Sequence, residues 1–468
     1  MNADDLCFAP ATQLAPMIRA RQLSPVELMD AVLARIEALE PKVNAFATLT
    51  ADAARDAAKA AEAALAKRAP VGPLHGLPVT IKDLTVTAGI PTERGSHITK
   101  GQIPDTDAPF VTRMKQAGAI VLGKTTTSEF GWTGVSRSPL TGITSNPWKL
   151  GYNAGASSAG AGAAAAAGYG PLHQGSDGAG SIRMPSHFCG IFGLKPTFGR
   201  IPNWPVPNND LSSHMGPMCR TVGDAALMLK VAAGPHPWDH TSLESPPADY
   251  PGRLGEGARG LRIAFSPDLG HARVDPEVAA LVRSAAEAFE TLGCTVEEVK
   301  TPFGADGAQV VRDMWSAHEQ QYARYLPEFE SRMDPGLVAC IRYGEGKTTD
   351  DYLSSRLAKL AFVEKVHRFM DQWDLLLTPA VSVAAFPAER LIPEHWPQHD
   401  WDWISWAEFS WPFNFSGNPA ASVPCGFTEA GLPVGLQIVG RRFDDLGVLQ
   451  AAAAFEQVRP WAQRRPQI

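Results

Sequence analysis

No run in this chain approaches the roughly 18 consecutive apolar residues that a membrane span requires. The opening residues, MNADDLCFAP, are acidic where a secretory signal needs basic residues followed by an apolar stretch. A membrane partner is therefore not expected, and a cytoplasmic location is. Cysteine is scarce too: Cys7, Cys189, Cys219, Cys294, Cys340 and Cys425 are six residues in 468, with no C-x-x-C among them. That argues against a disulfide framework and a thiolate zinc site, and predicts reduced, buried, inert thiols. Like-charge runs are missing as well. The formal charge of -7 is spread over 42 basic and 49 acidic residues, which argues against a nucleic-acid arm or a disordered acidic tail. HPWDH and HWPQH each place two histidines four apart, but an internal proline spoils the helical face a metal pair needs. Neither metal nor cofactor is expected. What remains is the composition of a globular protein, 44% hydrophobic and 19% charged, long enough to bury a large core.

The chain from about residue 10 to 67 reads as helical. In SPVELMDAVLARIEALE, Ser24 stands at a cap position, Pro25 at the first helical position and Glu27 where a capping box wants it, with Leu28, Val32, Ile36 and Leu39 at helical spacing. An alanine-rich helix follows from about Asp52 to Lys67. The texture then changes at PVGPLHGLPVTIKDL, a β-rich run punctuated by Gly and Pro that ends in Lys82 and Asp83. Beyond it, helical patterns alternate with short apolar strands such as AIVLG, LRIAFS and DLLLTPA, which predicts an α/β sheet layered by helices. Pro235 to Pro251 reads as a long surface loop.

GAIVLGKT, Gly118 to Thr125, matches the phosphate-loop pattern G-x-x-x-x-G-K-[ST]. In such a loop the strand precedes the first glycine, whereas here AIVL between the glycines is itself the strand and APFVTRMKQAG before it is a helix with a glycine cap. The amides a phosphate would need are committed to a sheet, so nucleotide binding is the weakest reading. Lys124 and Thr125 are expected to begin a loop leaving that strand.

The unusual chemistry lies further on. From Ala154 to Gly168 every residue is Ala, Gly or Ser, as only a segment packed tightly against other backbone requires. Its alanine-rich half favours a helix, with Ser157 and Ser158 at the mouth. A few residues later, in GSDGAGSIRMP, Gly178, Ala179 and Gly180 leave the backbone nearly bare ahead of Ser181. Such a loop can turn N–H groups toward one point, as a hydrolase does to hold a developing oxyanion.

GLPVTIKD, GASSAG, GSDGAGSIRMPSHFCGIFGLKPTFGR, PMCRTVGDAALML and GNPAASVPCGFTEAGLPVGLQIVG together resemble, in order and spacing, the amidase signature family. The resemblance spans nearly the whole chain. It implies one domain over residues 1–468, with a signature core at about 70–230, built as a mixed, mainly parallel twisted central sheet covered by helices. It makes Ser181 the nucleophile, Ser157 a bridging serine after a cis peptide from Ala156, and Lys82 the terminal base. A lysine can serve as base only when neutral, which means lowering its pKa by roughly three units, about 4 kcal/mol. Desolvation among small residues can do this. His173, eight residues before Ser181, is the rival base. Asp177 and Arg183 read as an ion pair that holds the loop. The sequence departs from the family pattern at Ala156 and Ala159 beside the paired serines and at Ala179 in the oxyanion loop, where alanine restricts positive φ.

Trp132, Ser158, Ile182 and Phe413 are the expected substrate contacts. From Trp396 to Phe415 the chain is dense in tryptophan and phenylalanine, but Leu391 to Gly440 contains no lysine or arginine, so nucleic-acid stacking is not expected. A pocket wall or lid for an aryl or alkyl amide competes there with plain core packing. The expected activity is hydrolysis of a small hydrophobic amide by water, with esters, hydrazides or carbamates as further substrates and a homodimer compatible with it. The alternative is the glutamine-hydrolysing subunit of a tRNA-dependent amidotransferase.

Overall fold

The computed structural model describes residues 1–468. Eleven strands form its central sheet: β1 (Phe46–Leu49), β2 (Pro78–Lys82), β3 (Ile120–Thr125), β4 (Leu172–Asp177), β5 (Phe192–Lys195), β6 (His214–Cys219), β7 (Arg262–Phe265), β8 (Thr295–Glu298), β9 (Leu375–Pro379), β10 (Ala420–Phe427) and β11 (Pro433–Gly440). Their spatial order is β1-β3-β2-β4-β6-β5-β10-β11-β9-β7-β8. This is the α/β architecture that the alternating pattern predicts, and the sheet is mixed. It is not mainly parallel: β3/β2, β2/β4, β9/β7 and β7/β8 are parallel, and the other six junctions are antiparallel. Connection decides the direction. A helix returns the chain between β2 and β3 and again between β7 and β8, whereas β10 and β11 are joined by a short turn that permits only the antiparallel pair.

The expected N-terminal helices form at Ala11–Arg19, Pro25–Val43 and Ala51–Ala66. Ser24 caps the second of them, its hydroxyl accepting the N–H groups of Val26 at 2.9 Å and Glu27 at 3.4 Å. That helix stops at Asn44, whose φ of 54° is left-handed. Between it and the next helix lies β1, which the helical reading of this segment passes over. Four residues, FATL, are too few to show a period, and they are a strand because β3 offers them an edge.

The Gly118–Thr125 octapeptide is settled by the same sheet. Gly118 caps the helix Pro109–Gln116 with φ 87°. The strand then runs on through Lys124 and Thr125, which pair with Ile81 and Lys82 instead of starting a loop. The Lys124 side chain is buried, its Nζ bonding the Thr85 carbonyl at 2.8 Å and Thr92 Oγ1 at 2.6 Å, with Asp83 at 3.5 Å. Nothing of a phosphate cradle is left.

The small-residue segment forms the helix Ala159–Ala167, all nine residues buried. A Cβ added at Gly160 would lie 2.1 Å from the Ala45 carbonyl oxygen and 2.5 Å from the Thr126 amide nitrogen. The expected backbone-to-backbone contact is therefore real. Trp396, Trp401, Trp403, Trp406, Phe409, Trp411 and Phe413 are all buried, in a second core shared with Trp132 and Met184. The aromatic run is packed into that core. The six cysteines are free and buried, and no helix is long and apolar enough to cross a membrane. We predict that Gly160→Ala, which overpacks against backbone that cannot turn away, lowers unfolding stability by about 3 kcal/mol. Gly255→Ala, with nothing within 4 Å of the added carbon, should stay within about 0.5 kcal/mol in the same denaturant titration.

Candidate active site

β2 and β4 are parallel neighbours, so the ends that carry Lys82 and Asp177 emerge side by side. The Lys82 N–H donates to Gln174 Oε1 at 2.9 Å, which fixes the register of the two ends. The mouth of the helix Ala159–Ala167 meets them from one side and the turn into the helix Arg183–Cys189 from the other. Lys82 is completely buried. Its Nζ donates to Ser157 Oγ at 2.8 Å, to Ser176 Oγ at 3.0 Å and to the Ser176 carbonyl at 3.4 Å. Burial pulls its pKa from 10.5 down to about 7, against the opposing pull of the Asp177 charge.

Ser157 follows a cis peptide from Ala156. Gly131 lies against its hydroxyl; a Cβ there would be 3.1 Å from Ser157 Oγ. Ser181 is held to this segment through its carbonyl, which accepts the Ser158 N–H at 3.2 Å. The structure thus joins Lys82 and Ser157 directly and places Ser181 on the adjoining turn, its own hydroxyl making no hydrogen bond to either. His173 is elsewhere in role: buried on β4, it bonds Thr80 Oγ1 at 2.9 Å and the Gly170 carbonyl at 2.9 Å, and burial lowers its pKa to about 4. Both ring nitrogens are committed, so it is a core histidine.

The Asp177–Arg183 pair is fully buried at 2.8 Å. Every Arg183 nitrogen has a use: Nε and Nη2 grip the two Asp177 oxygens at 3.0 and 2.8 Å, Nη1 reaches the Ser410 carbonyl and Gln437 Oε1 at 2.8 Å each, and Nη2 also bonds Asn414 Oδ1 at 2.6 Å. Burial alone would raise the Asp177 pKa, but the Arg183 charge and hydrogen bonds hold it below the ordinary carboxylate range.

The same carboxylate corrects the expected oxyanion loop. The Gly180 N–H donates to Asp177 Oδ1 at 2.7 Å and the Ile182 N–H to Oδ2 at 3.2 Å, so the Gly180 amide is not available to an oxyanion. The amides of Gly178, Ala179 and Ser181 have no protein acceptor. Ala179 needs no positive φ; Gly180 carries it, at 119°. A side chain at 180 would also meet Ser410 Oγ at 2.4 Å.

The expected substrate contacts fare differently. Ser158 Oγ donates to the Ser176 carbonyl at 3.1 Å and accepts the Ser176 N–H at 3.2 Å, so its hydroxyl holds the end of β4. Ile182 is buried in the main core over Gly175, Gly193 and Gly216, where added Cβ atoms would come within 2.9 Å of its side chain. Trp132 and Phe413 are buried in the second core. All four are buried, and motif position does not reveal which neighbours each one meets. Missed from sequence were Phe130, one residue from Gly131, with φ 51°, and Tyr322, on which its ring stacks at 4.1 Å and 14°. A left-handed aromatic is a rare conformation, and SEFGW gives no sign of it beyond the following glycine. Asn414 and Gln437 were missed because only long-range contact brings them to Arg183.

A buried lysine bonded to one serine, a second serine on an adjoining turn and a group of unpartnered amides together make the arrangement of a serine hydrolase. The Amidase family profile matches residues 27–449. The chain is 39% identical to an acylamidase of Rhodococcus erythropolis across its whole length and 98% of that protein. It is 34% identical to a glutamyl-tRNA(Gln) amidotransferase subunit of Chloroflexus aggregans over 96% of both. Its fold superposes on the crystal structure of a bacterial aryl acylamidase with TM-score 0.90 and 29% identity, covering 97% of each chain. A 6-aminohexanoate cyclic dimer hydrolase superposes with TM-score 0.89 and 31% identity, over 98% of this chain and 99% of that one. The chain belongs to the Amidase family, the amidase signature enzymes, and hydrolyses amides. We predict that Asp177→Ala, which strands Arg183 as a buried unpaired charge, lowers unfolding stability by about 3–5 kcal/mol in a urea titration.

Proposed function

We propose that this enzyme cleaves the C–N bond of a small hydrophobic aryl or alkyl amide through an acyl-enzyme on Ser181. The observation that carries the reading is Lys82, buried, 2.8 Å from Ser157 Oγ, with a pKa drawn down to about 7. A lysine in that state is substantially neutral at physiological pH and can take a proton. Ser181 Oγ attacks the amide carbonyl while its proton passes to Ser157, whose own proton passes to Lys82. The carbonyl oxygen becomes an oxyanion facing the amides of Gly178, Ala179 and Ser181. As the C–N bond breaks, the proton returns along the same path to the leaving amine. Water then attacks the acyl-enzyme by the reverse relay, releasing the acid and restoring Ser181.

The substrate side is supported by the Phe130–Tyr322 stack. Phe130 precedes Gly131, which packs on Ser157, and an aromatic pair in that segment suits an apolar group on the substrate. Similarity to an acylamidase and an aryl acylamidase favours the same class. Esters, hydrazides and carbamates pass through a comparable tetrahedral oxyanion and are expected as further substrates. A second reading, as part of a glutamyl-tRNA(Gln) amidotransferase, is kept alive by the 34% identity to a component of that enzyme. Hydrolysis of a simple aryl amide by the purified chain alone would favour the first reading over it.

A fluorophosphonate serine probe tests the centre. We expect a covalent adduct on Ser181, located by peptide mass spectrometry, with labelling slowed at least about 100-fold in Lys82→Ala. Labelling that Lys82→Ala leaves untouched would overturn the lysine base. The pH dependence follows with a definite sign: the active base is the neutral amine, which accumulates as pH rises through the folded-state pKa. Thus kcat/KM should climb about tenfold per pH unit below about 7 and level off above it. A rate independent of pH between 5 and 8 would count against Lys82.

A further inference from the structure

The helix Thr349–Met370 is built inside out at one point. Leu357 and Leu360 stand 69% and 61% exposed, while Lys359 between them is only 5% exposed. Packing gives no reason to turn a lysine inward and leucines outward. What Lys359 meets is Asp210: its Nζ bonds Asp210 Oδ2 at 3.0 Å, the Asp210 carbonyl at 2.6 Å and Ser212 Oγ at 3.4 Å. Arg356, one turn earlier, takes Asp210 Oδ1 at 2.8 Å. Asp210 and Leu211 both sit in the left-handed region, with φ of 52° and 62°. Two successive non-glycine residues there persist only where the surroundings hold them.

The clasped segment reaches the neighbourhood of Asp177 and Gly178 in two places, once through Asn414 and once by facing Gly178. The Ser212 carbonyl accepts Asn414 Nδ2 at 3.1 Å, and that same nitrogen donates to the Asp177 carbonyl and to Asp177 Oδ1 at 2.8 Å each. On the other side, the bare α-carbon of Gly178 faces Ser213 and Asn209, whose Oγ and Nδ2 would lie 3.5 and 3.7 Å from a Cβ placed there. Asn209 Nδ2 is itself bonded to Ser213 Oγ at 2.6 Å.

We propose that Lys359 and Arg356 are positioning residues for the reaction, holding segment 209–213 through Asp210 so that it braces Asp177 and Gly178 and fixes where the oxyanion amides point. Neither touches substrate. The proposal rests on the amide-hydrolase reading above and adds to it a control exerted from a helix outside the signature core.

The experiment compares Lys359→Met, Asp210→Asn and Lys359→Arg with the unmodified protein, reading kcat and KM on an aryl amide together with hydrogen exchange of peptides covering 176–184 and 203–214. We expect Lys359→Met and Asp210→Asn to lower kcat by about tenfold or more with KM changed less than about threefold, since a misaimed oxyanion site costs the transition state more than the ground state. Lys359→Arg, which can still reach Asp210, should recover most of the rate. Exchange should quicken in both peptides. The proposal fails if folded Lys359→Met keeps kcat within about twofold, or if exchange quickens in 203–214 alone. Should Lys359→Met not fold, Asp210→Asn carries the same comparison. Exchange reports the brace even in a chain that hydrolyses nothing, so an absent Ser181 adduct, which would sink the amidase reading, is a separate result.

Discussion

Taking two opposite charges out of water costs more than their attraction returns unless every remaining donor and acceptor is matched. Asp177 and Arg183 meet that demand, and the match is what shapes the site. Because the Asp177 oxygens need partners, they draw in the Gly180 and Ile182 amides; because those two amides turn inward, those of Gly178, Ala179 and Ser181 are left over. The Arg183 guanidinium in turn requires acceptors from Ser410, Asn414 and Gln437, which ties the aromatic second core and the far side of the sheet to the loop. The catalytic turn is thus held by the requirement that a buried pair be satisfied, more than by any preference of its own backbone.

Lys82 obeys the opposite logic. It too is buried, but its bonds go only to hydroxyls and a carbonyl, and the Asp177 charge acts on it without a hydrogen bond. Its neighbour across the strand pair, Lys124, shares the burial yet has Asp83 at 3.5 Å. Burial lowers both, to about 7 for Lys82 and about 8 for Lys124, where the Asp83 charge pulls back. What separates the two lysines is geometry: Lys124 has its carboxylate at ion-pair distance, whereas Lys82 is bonded to hydroxyls and a carbonyl.

Much of this could be read from the chain before any fold was known. Lys82, Ser157 and Ser181 lie at a strand end and in two small-residue runs, settings that draw the eye to these segments, but it is the resemblance of the surrounding motifs to the amidase signature family that singles the three residues out; the Gly118–Thr125 octapeptide was separable from a phosphate loop by the order of its elements. What could not be read depends on contacts far apart in sequence. Ser158 and Ile182 carry the same motif credentials as their neighbours, but one is bound to Ser176 and the other lies over three glycines of three different strands. The mainly parallel sheet was what the family resemblance implied, and the strand directions depart from it because the antiparallel centre is decided by which distant strands meet. The aromatic run shows that hydrophobicity predicts burial without saying whether a ligand is part of it.

The Arg183 contacts have a consequence in time as well as in space. Its partners Ser410, Asn414 and Gln437 lie 227, 231 and 254 positions further along the chain. While the protein is being synthesised, the segment bearing Lys82, Ser157 and Ser181 emerges long before the groups that satisfy Arg183, and loops of that length close slowly. A half-made chain therefore holds Lys82, Ser157 and Ser181 without the later residues that satisfy Arg183 beside them.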